Sequence, residues 1–245
     1  MAARERLDVL VWQRGLAPSR AKARAMILAG QIAVNGERTT HAGTSVDLQA
    51  TVTRLGAVSP YVSRGGEKLA AALVAFDLTV HGRVAMDVGY GQLHWRLRTD
   101  PRVIVYERTN ARYLQPEHVP ERIAVLTVDV SFISLRLLLP VLVRLLEPQA
   151  DSIVLIKPQF EVGKGQVGKS GVVRDPHLHQ QVLLEVLSAI QACDLSVYAA
   201  IPSPLLGPKG NREFLAHLRL DSSPMSLQRL HKLCTSLAFT GGTDA

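Results

Sequence analysis

The sequence predicts an α/β protein in two parts, an open sheet with helices between its strands preceded by a small, basic α+β module. Three observations predict it. Two apolar, β-branched runs, Ile123–Asp129 and Asp151–Lys157, each end in a charged residue; such runs read as strands buried on both faces. From Ser63 onward strand-like and helix-like segments alternate, the pattern of βαβ units and a parallel sheet. Residues 1–64 hold nine Lys/Arg against four acids, so a separate cationic unit leads the chain.

In that unit Leu7, Leu10 and Val11 recur at helical spacing and Gly15 supplies a stop. Ser19 is a suitable N-cap for a helix over residues 20–29, and Gly30 stands where a left-handed C-terminal cap belongs. Asn35-Gly36 between Ile32–Val34 and Glu37–Thr39 is a hairpin signal. A cationic helix beside a tight hairpin suits phosphate contacts. The candidates are Arg6, Arg20, Lys22, Arg24 and Arg38, with Arg64 just beyond.

In the larger part, residues 68–76 read as a helix, and 84–87 and 103–106 as strands. Asp175 caps a helix that opens at Pro176 and runs through Ile190, while 197–201 and 214–218 read as late strands. The expected boundaries are 1–60 for the module, 61–222 for the sheet domain, and 223–245 for a tail without an interpretable motif. Cys193 and Cys234 form no ligand pattern, so no metal is expected and a reducing, cytoplasmic compartment is favoured. The most apolar stretch, Phe132–Leu146, is broken by Arg136, Pro140 and Arg144 and is too short to span a bilayer.

Ligands of open α/β sheets bind beyond the carboxyl ends of the strands. Asp129 and Lys157 would therefore stand at the mouth of a cleft, with Lys68 and Glu213 as further charged candidates. The turn Asp87-Val-Gly89-Tyr-Gly91 follows a strand and lets backbone approach a cofactor. Residues 163–170 formally match a phosphate loop, but no helix follows Ser170 directly, so the match is read as a loop over the site. His177, His179 and His217 are read as capping or surface residues.

Residues 6–10, 19–24 and 30–36 resemble the small RNA-binding module first described in a small-subunit ribosomal protein. Ser63-Arg-Gly-Gly-Glu-Lys-Leu, residues 87–95, Glu107–Arg112, Asp129-Val-Ser-Phe-Ile-Ser, Lys157-Pro-Gln-Phe-Glu, Gly171–Pro176 and Gly210-Asn-Arg-Glu-Phe resemble the TlyA family. That resemblance implies a Rossmann-like, FtsJ-like methyltransferase sheet and 2′-O-methylation of ribosomal RNA with S-adenosyl-methionine. It places a catalytic tetrad on Lys68, Asp129, Lys157 and Glu213, and cofactor contacts on Asp87, Gly89, Gly91 and Asn110. Some members are labelled haemolysin; a membrane-active role would rest on Phe132–Leu146 alone.

The chain also departs from that pattern. The family carries a glycine-rich loop after the first strand, then a helix and a second strand, whereas here Val84–Gly89 runs directly into Tyr90–Trp95. One early βα unit is missing, and the segment 103–106 is then expected to pair with 84–87. A catalytically lapsed RNA-binding protein is the alternative that this departure leaves open.

Overall fold

The computed structural model describes residues 3–55, 61, 63–89, 93, 95–106, 108–163, 165–168, 170–221 and 223–239. The chain divides into two compact units, residues 1–60 and 61–245.

The first unit contains β1 (Arg4–Arg6), α1 (Leu7–Gln13), α2 (Arg20–Leu28), β2 (Ile32–Val34), β3 (Glu37–Thr39), β4 (Ser45–Asp47) and β5 (Val52–Arg54). The Ser19 hydroxyl accepts from the Lys22 amide at 3.2 Å and caps α2. Gly30 ends that helix at φ +66, and Asn35 and Gly36 turn the β2–β3 hairpin at φ +51 and +85. The core comes from the inward stripe of each helix: Leu7, Leu10 and Val11 on α1, and Ala23, Met26 and Ile27 on α2, closed by Ile32, Val46 and Val52.

The second unit contains α3 (Arg64–Ala75), β6 (Ala85–Val88), α4 (Trp95–Arg98), β7 (Ile123–Val128), α5 (Leu135–Leu142), β8 (Leu146–Ile156), α6 (Pro158–Glu161), α7 (Pro176–Gln191), β9 (Leu195–Pro202), β10 (Phe214–Leu220) and α8 (Leu227–Phe239). Its sheet has the order β6-β7-β8-β10-β9. β6, β7 and β8 are parallel, but β10 runs antiparallel to both neighbours, so the sheet is mixed rather than wholly parallel. After α7 carries the chain past one strand position, β10 returns through residues 203–213 and fills the gap. Buried strands carry the same apolar pattern in either direction, so composition gives no warning of this.

Two further expectations are corrected. Residues 103–106 form no strand and do not pair with β6. His179 and His217 are interior: Nε2 of His179 donates to the Val173 carbonyl at 3.0 Å, and Nε2 of His217 lies 2.8 Å from Asp151 Oδ1. Each has found a polar partner inside, the condition for burying an imidazole.

α5 is the apolar stretch singled out above. Leu135, Leu138, Leu139 and Leu142 face inward and pack with α7 and the sheet, and each such burial contributes about 1.5–3 kcal/mol. Among the described residues no helix is long and apolar enough to cross a membrane. The stretch after Asp221 forms α8, whose Leu230, Cys234 and Leu237 join the same core.

Candidate active site

The site is built at one end of the sheet by three strand termini and one helix. β7 leaves the sheet at Asp129, whose amide still donates to Val88 O at 3.0 Å. β8 stops at Lys157 because Pro158 has no amide for the ladder and opens α6. β10 pairs Phe214 with Ile156, so the antiparallel register brings Glu213 to the same end as Lys157. α3 delivers the fourth group: a Cβ on Gly65 would stand 3.7 Å from Asp129 Oδ2, and Lys68 lies one turn further along.

Two ion pairs result. Lys157 Nζ is 2.6 Å from Asp129 Oδ1 and donates to Ser131 Oγ at 3.0 Å. Lys68 Nζ is 2.6 Å from Glu213 Oε2, and both partners are buried. Glu213 Oε1 is buried without a hydrogen-bond partner. A Cβ on Gly207 would lie 2.1 Å from that oxygen, so only glycine lets the loop between β9 and β10 approach Glu213 so closely. The four charged residues foreseen from the sequence therefore meet at one end of the sheet.

Aromatic and loop contacts surround them. Phe132 has φ +65, an uncommon backbone state for a bulky residue, and its side chain is 90% exposed. Its ring centroid is 4.9 Å from that of Phe160, which in turn lies 6.0 Å from Lys157 Nζ. Buried Glu161 accepts from Ser134 Oγ at 2.6 Å and from the Leu135 amide at 2.8 Å, fixing the loop that carries Asp129, Ser131 and Phe132. Burial raises the Glu161 carboxyl above its ordinary range, against the pull of Ser134, the Leu135 amide and Arg136.

On the other flank, Asn211 accepts from the Val173 amide at 3.1 Å and donates to Gly171 O at 2.9 Å, tying residues 171–173 beside Glu213. α7 begins only at Pro176, so residues 163–170 do not lead directly into a helix as a phosphate loop must.

Asp87 lies in β6 opposite Thr127 of β7, whose hydroxyl donates to it. The outer side of the carboxylate is open to solvent, yet surrounding protein raises its proton affinity, with the Asp129 charge adding and Thr127 opposing. A Cβ on Gly89 would meet only ordinary contacts at 3.6 and 3.8 Å, so room remains beside that backbone. The Asn110 side chain accepts from the Arg112 amide at 3.1 Å and caps a short turn. Gly91 lies outside the described residues.

Of the expected RNA contacts, Arg6 and Arg20 both pair with buried Asp8 at 3.0 Å. Arg6 first, and Arg20 after it, hold the Asp8 carboxyl below its usual range. Lys22, Arg24 and Arg38 remain exposed, and Arg38 lays its stem across Gly30, 3.1 Å from where a Cβ would be. Arg24 lines a concavity with Arg6, Leu28, Thr40, His41 and Thr44. Arg64 belongs to the second unit and donates to Leu206 O at 2.5 Å.

Residues 82–220 match the FtsJ-like methyltransferase family. The chain belongs to that family. Residues 5–52 match the S4 domain. The 16S/23S rRNA (cytidine-2′-O)-methyltransferase TlyA of Mycobacterium tuberculosis is 43% identical over 89% of this chain and 91% of its own length. Hemolysin A of Brachyspira hyodysenteriae is 35% identical over 86% of this chain and 98% of its own length. A solved structure from Streptococcus thermophilus, described as a candidate hemolysin, superposes with a TM-score of 0.73 at 33% identity, covering 97% of this chain and 96% of the other. The usual methyl donor of FtsJ-like methyltransferases is S-adenosyl-methionine.

Sequence reasoning on this FtsJ-like chain did not single out Phe132, Phe160 or Glu161. The signal was present: two of only five phenylalanines stand within three residues of Asp129 and Lys157.

Proposed function

We propose that this chain transfers a methyl group to a ribose 2′-hydroxyl of ribosomal RNA in the cytoplasm, with S-adenosyl-methionine as donor. The observation that carries the reading is the meeting of Lys157–Asp129 and Lys68–Glu213 at the carboxyl ends of β7 and β8. A ribose hydroxyl is a weak nucleophile at neutral pH, so the site must orient it and remove its proton. Lys157, in its unprotonated form, accepts that proton. Asp129 and Ser131 hold Lys157 in place at 2.6 and 3.0 Å. Lys68, anchored by Glu213, offers positive charge to the developing oxyanion or to a neighbouring phosphate. Phe132 presents an open aromatic face on which a base of the target strand can stack.

When bound, S-adenosyl-methionine supplies an electrophilic methyl on a sulfonium. Asp87, Gly89 and Asn110 fit its polar end: an accessible carboxylate of raised proton affinity suits an ammonium or ribose hydroxyls, and open backbone lies beside it. The test is incubation of the full chain with ribosomal subunits and a labelled donor, alongside calorimetric binding of the donor. The expected result is label on a ribose 2′-oxygen; RNA that binds without acquiring label, despite a bound donor, overturns the assignment.

A second reading is favoured by a sheet that, among the described residues, ends at β6, and by the glycine-rich unit that this sequence lacks: rRNA binding without transfer. No measurable donor binding with rRNA binding retained selects it.

Recognition of rRNA is assigned to the S4 unit, with Lys22, Arg24 and Arg38 on phosphates and Arg6 and Arg20 ordered around Asp8. Arg24→Ala is expected to weaken binding to all RNA sequences alike and to lower the slope of log affinity against log salt by about one. An unchanged slope removes Arg24 from the interface.

A further inference from the structure

Three consecutive residues beside the ion pairs each fasten a different element. Asn211 ties residues 171–173, Glu213 takes Lys68 of α3, and between them Arg212 reaches the last helix of the chain. Its Nη1 donates to Ala238 O at 3.0 Å and its Nη2 to Leu237 O at 3.2 Å. Both carbonyls belong to the last turn of α8, where helix carbonyls lack amides of their own helix and a cation is favoured. The guanidinium carbon also stands 5.6 Å from the centroid of the Phe214 ring.

Strand alternation explains the arrangement. The Ser203 amide donates to Glu213 O at 2.8 Å, so extended backbone already begins one residue ahead of β10. Successive side chains of such a segment point to opposite faces. Leu215 packs with Ala72 of α3 on one face, and Phe214 joins the core that holds α7 and α8 on the other. Glu213 therefore turns to Lys68 while Arg212 turns to α8. That helix is a firm support. Leu230, Cys234 and Leu237 bury it in the core, and Gln180 of α7 donates to Thr235 Oγ1 at 2.8 Å. Glu213 itself is confined between Lys68 and Gly207, so a small shift of its backbone would spoil the ion pair.

We propose that Arg212 is a positioning residue: bound to the end of α8, it holds the backbone from which Glu213 reaches Lys68. The inference rests on the methyl-transfer reading. It gives α8, which lies beyond the family match ending at residue 220, a part in the chemistry.

Steady-state transfer to ribosomal subunits by the full chain, below the melting temperature of each variant, tests it. The second readout is the ammonium resonance of Lys68, assigned by its absence in Lys68→Arg. Arg212→Met is expected to lower kcat about ten- to a hundredfold, the effect of a displacement near 1 Å. KM for the subunit and for the donor should stay within about twofold. Exchange of the Lys68 ammonium protons with water should quicken by about tenfold or more as the pair opens. Arg212→Lys can still donate to the carbonyls of α8 and should restore most of kcat and the slow exchange. Unchanged kcat in Arg212→Met overturns the proposal, as does a loss confined to KM, a loss with Lys68 exchange unaltered, or failure of the lysine to restore. A Lys68 ammonium that exchanges as fast as an exposed lysine in the unaltered chain overturns it too. Should the unaltered chain transfer no methyl, that reading falls by itself, and Lys68 exchange alone decides whether Arg212 holds Glu213 in place. If Arg212→Met fails to fold, Arg212→Gln, which drops the charge and keeps an amide donor, is judged by the same outcomes.

Discussion

Replacing Lys157 with alanine is expected to lower methyl transfer to rRNA by about 10²–10⁴-fold, the usual contribution of a positioned acid or base. Binding of rRNA by residues 1–60 should be unchanged. The loss is specific because Lys157 is tied to Asp129 at 2.6 Å and Ser131 at 3.0 Å and stands at the carboxyl end of β8. Lys157→Arg sharpens the test. Arginine keeps the charge and can still reach Asp129, but it does not give up its proton in a protein. A base at this position predicts that arginine is nearly as damaging as alanine. Transfer retained by Lys157→Arg and lost by Lys157→Ala would assign the residue to charge stabilisation instead, and full activity in both would remove it from the mechanism.

Removal of Glu213 should be costly in a different way. Its partner Lys68 is buried, so Glu213→Ala strands a cation away from water, and breaking such a pair typically destabilises by about 3–5 kcal/mol. For a domain of this size the melting temperature falls by roughly 2–4 °C per kcal/mol. Both transfer and stability should drop in Glu213→Ala, which by itself does not separate the roles. The double change Lys68→Met with Glu213→Leu does: burying two apolar chains in place of an ion pair is often neutral or stabilising. Stability near that of the unaltered chain with transfer abolished would mark the pair as functional. Active double-variant protein would reduce it to a structural contact, and a Glu213→Ala variant within about 1 kcal/mol of the parent would contradict the burial argument itself.

Much of this arrangement can be read from the residues. Apolar runs that end in Asp129 and Lys157 announce buried strands with their charges at one edge, and register then brings Glu213 opposite Lys157. Helix starts at Ser19 and Asp175 follow from cap chemistry. The direction of β10 was not legible, because a strand buried on both faces has the same composition whichever way it runs. α8 was legible but overlooked: Leu230, Cys234, Leu237 and Ala238 keep the helical spacing of one buried stripe. The segment 103–106 misled for a physical reason, since strand composition states only a preference and pairing needs a partner within reach. The interior place of His217 depended on Asp151, a partner far away in the chain, and that of His179 on the backbone carbonyl of Val173, which leaves no mark in residue type. Phe132 was overlooked because its significance lies in a backbone angle and an exposure rather than in its type.

The docking of α3 carries a practical corollary. Lys68 lies upstream of residue 82, where the match to the methyltransferase family begins, yet its ammonium closes a buried ion pair with Glu213. A gene fragment trimmed to that boundary would retain every strand of the second unit's sheet and still leave a carboxylate stranded at its centre. On the roles proposed for Lys68 and Glu213, a shortened version of the second unit intended for assay or for grafting has to begin before Arg64.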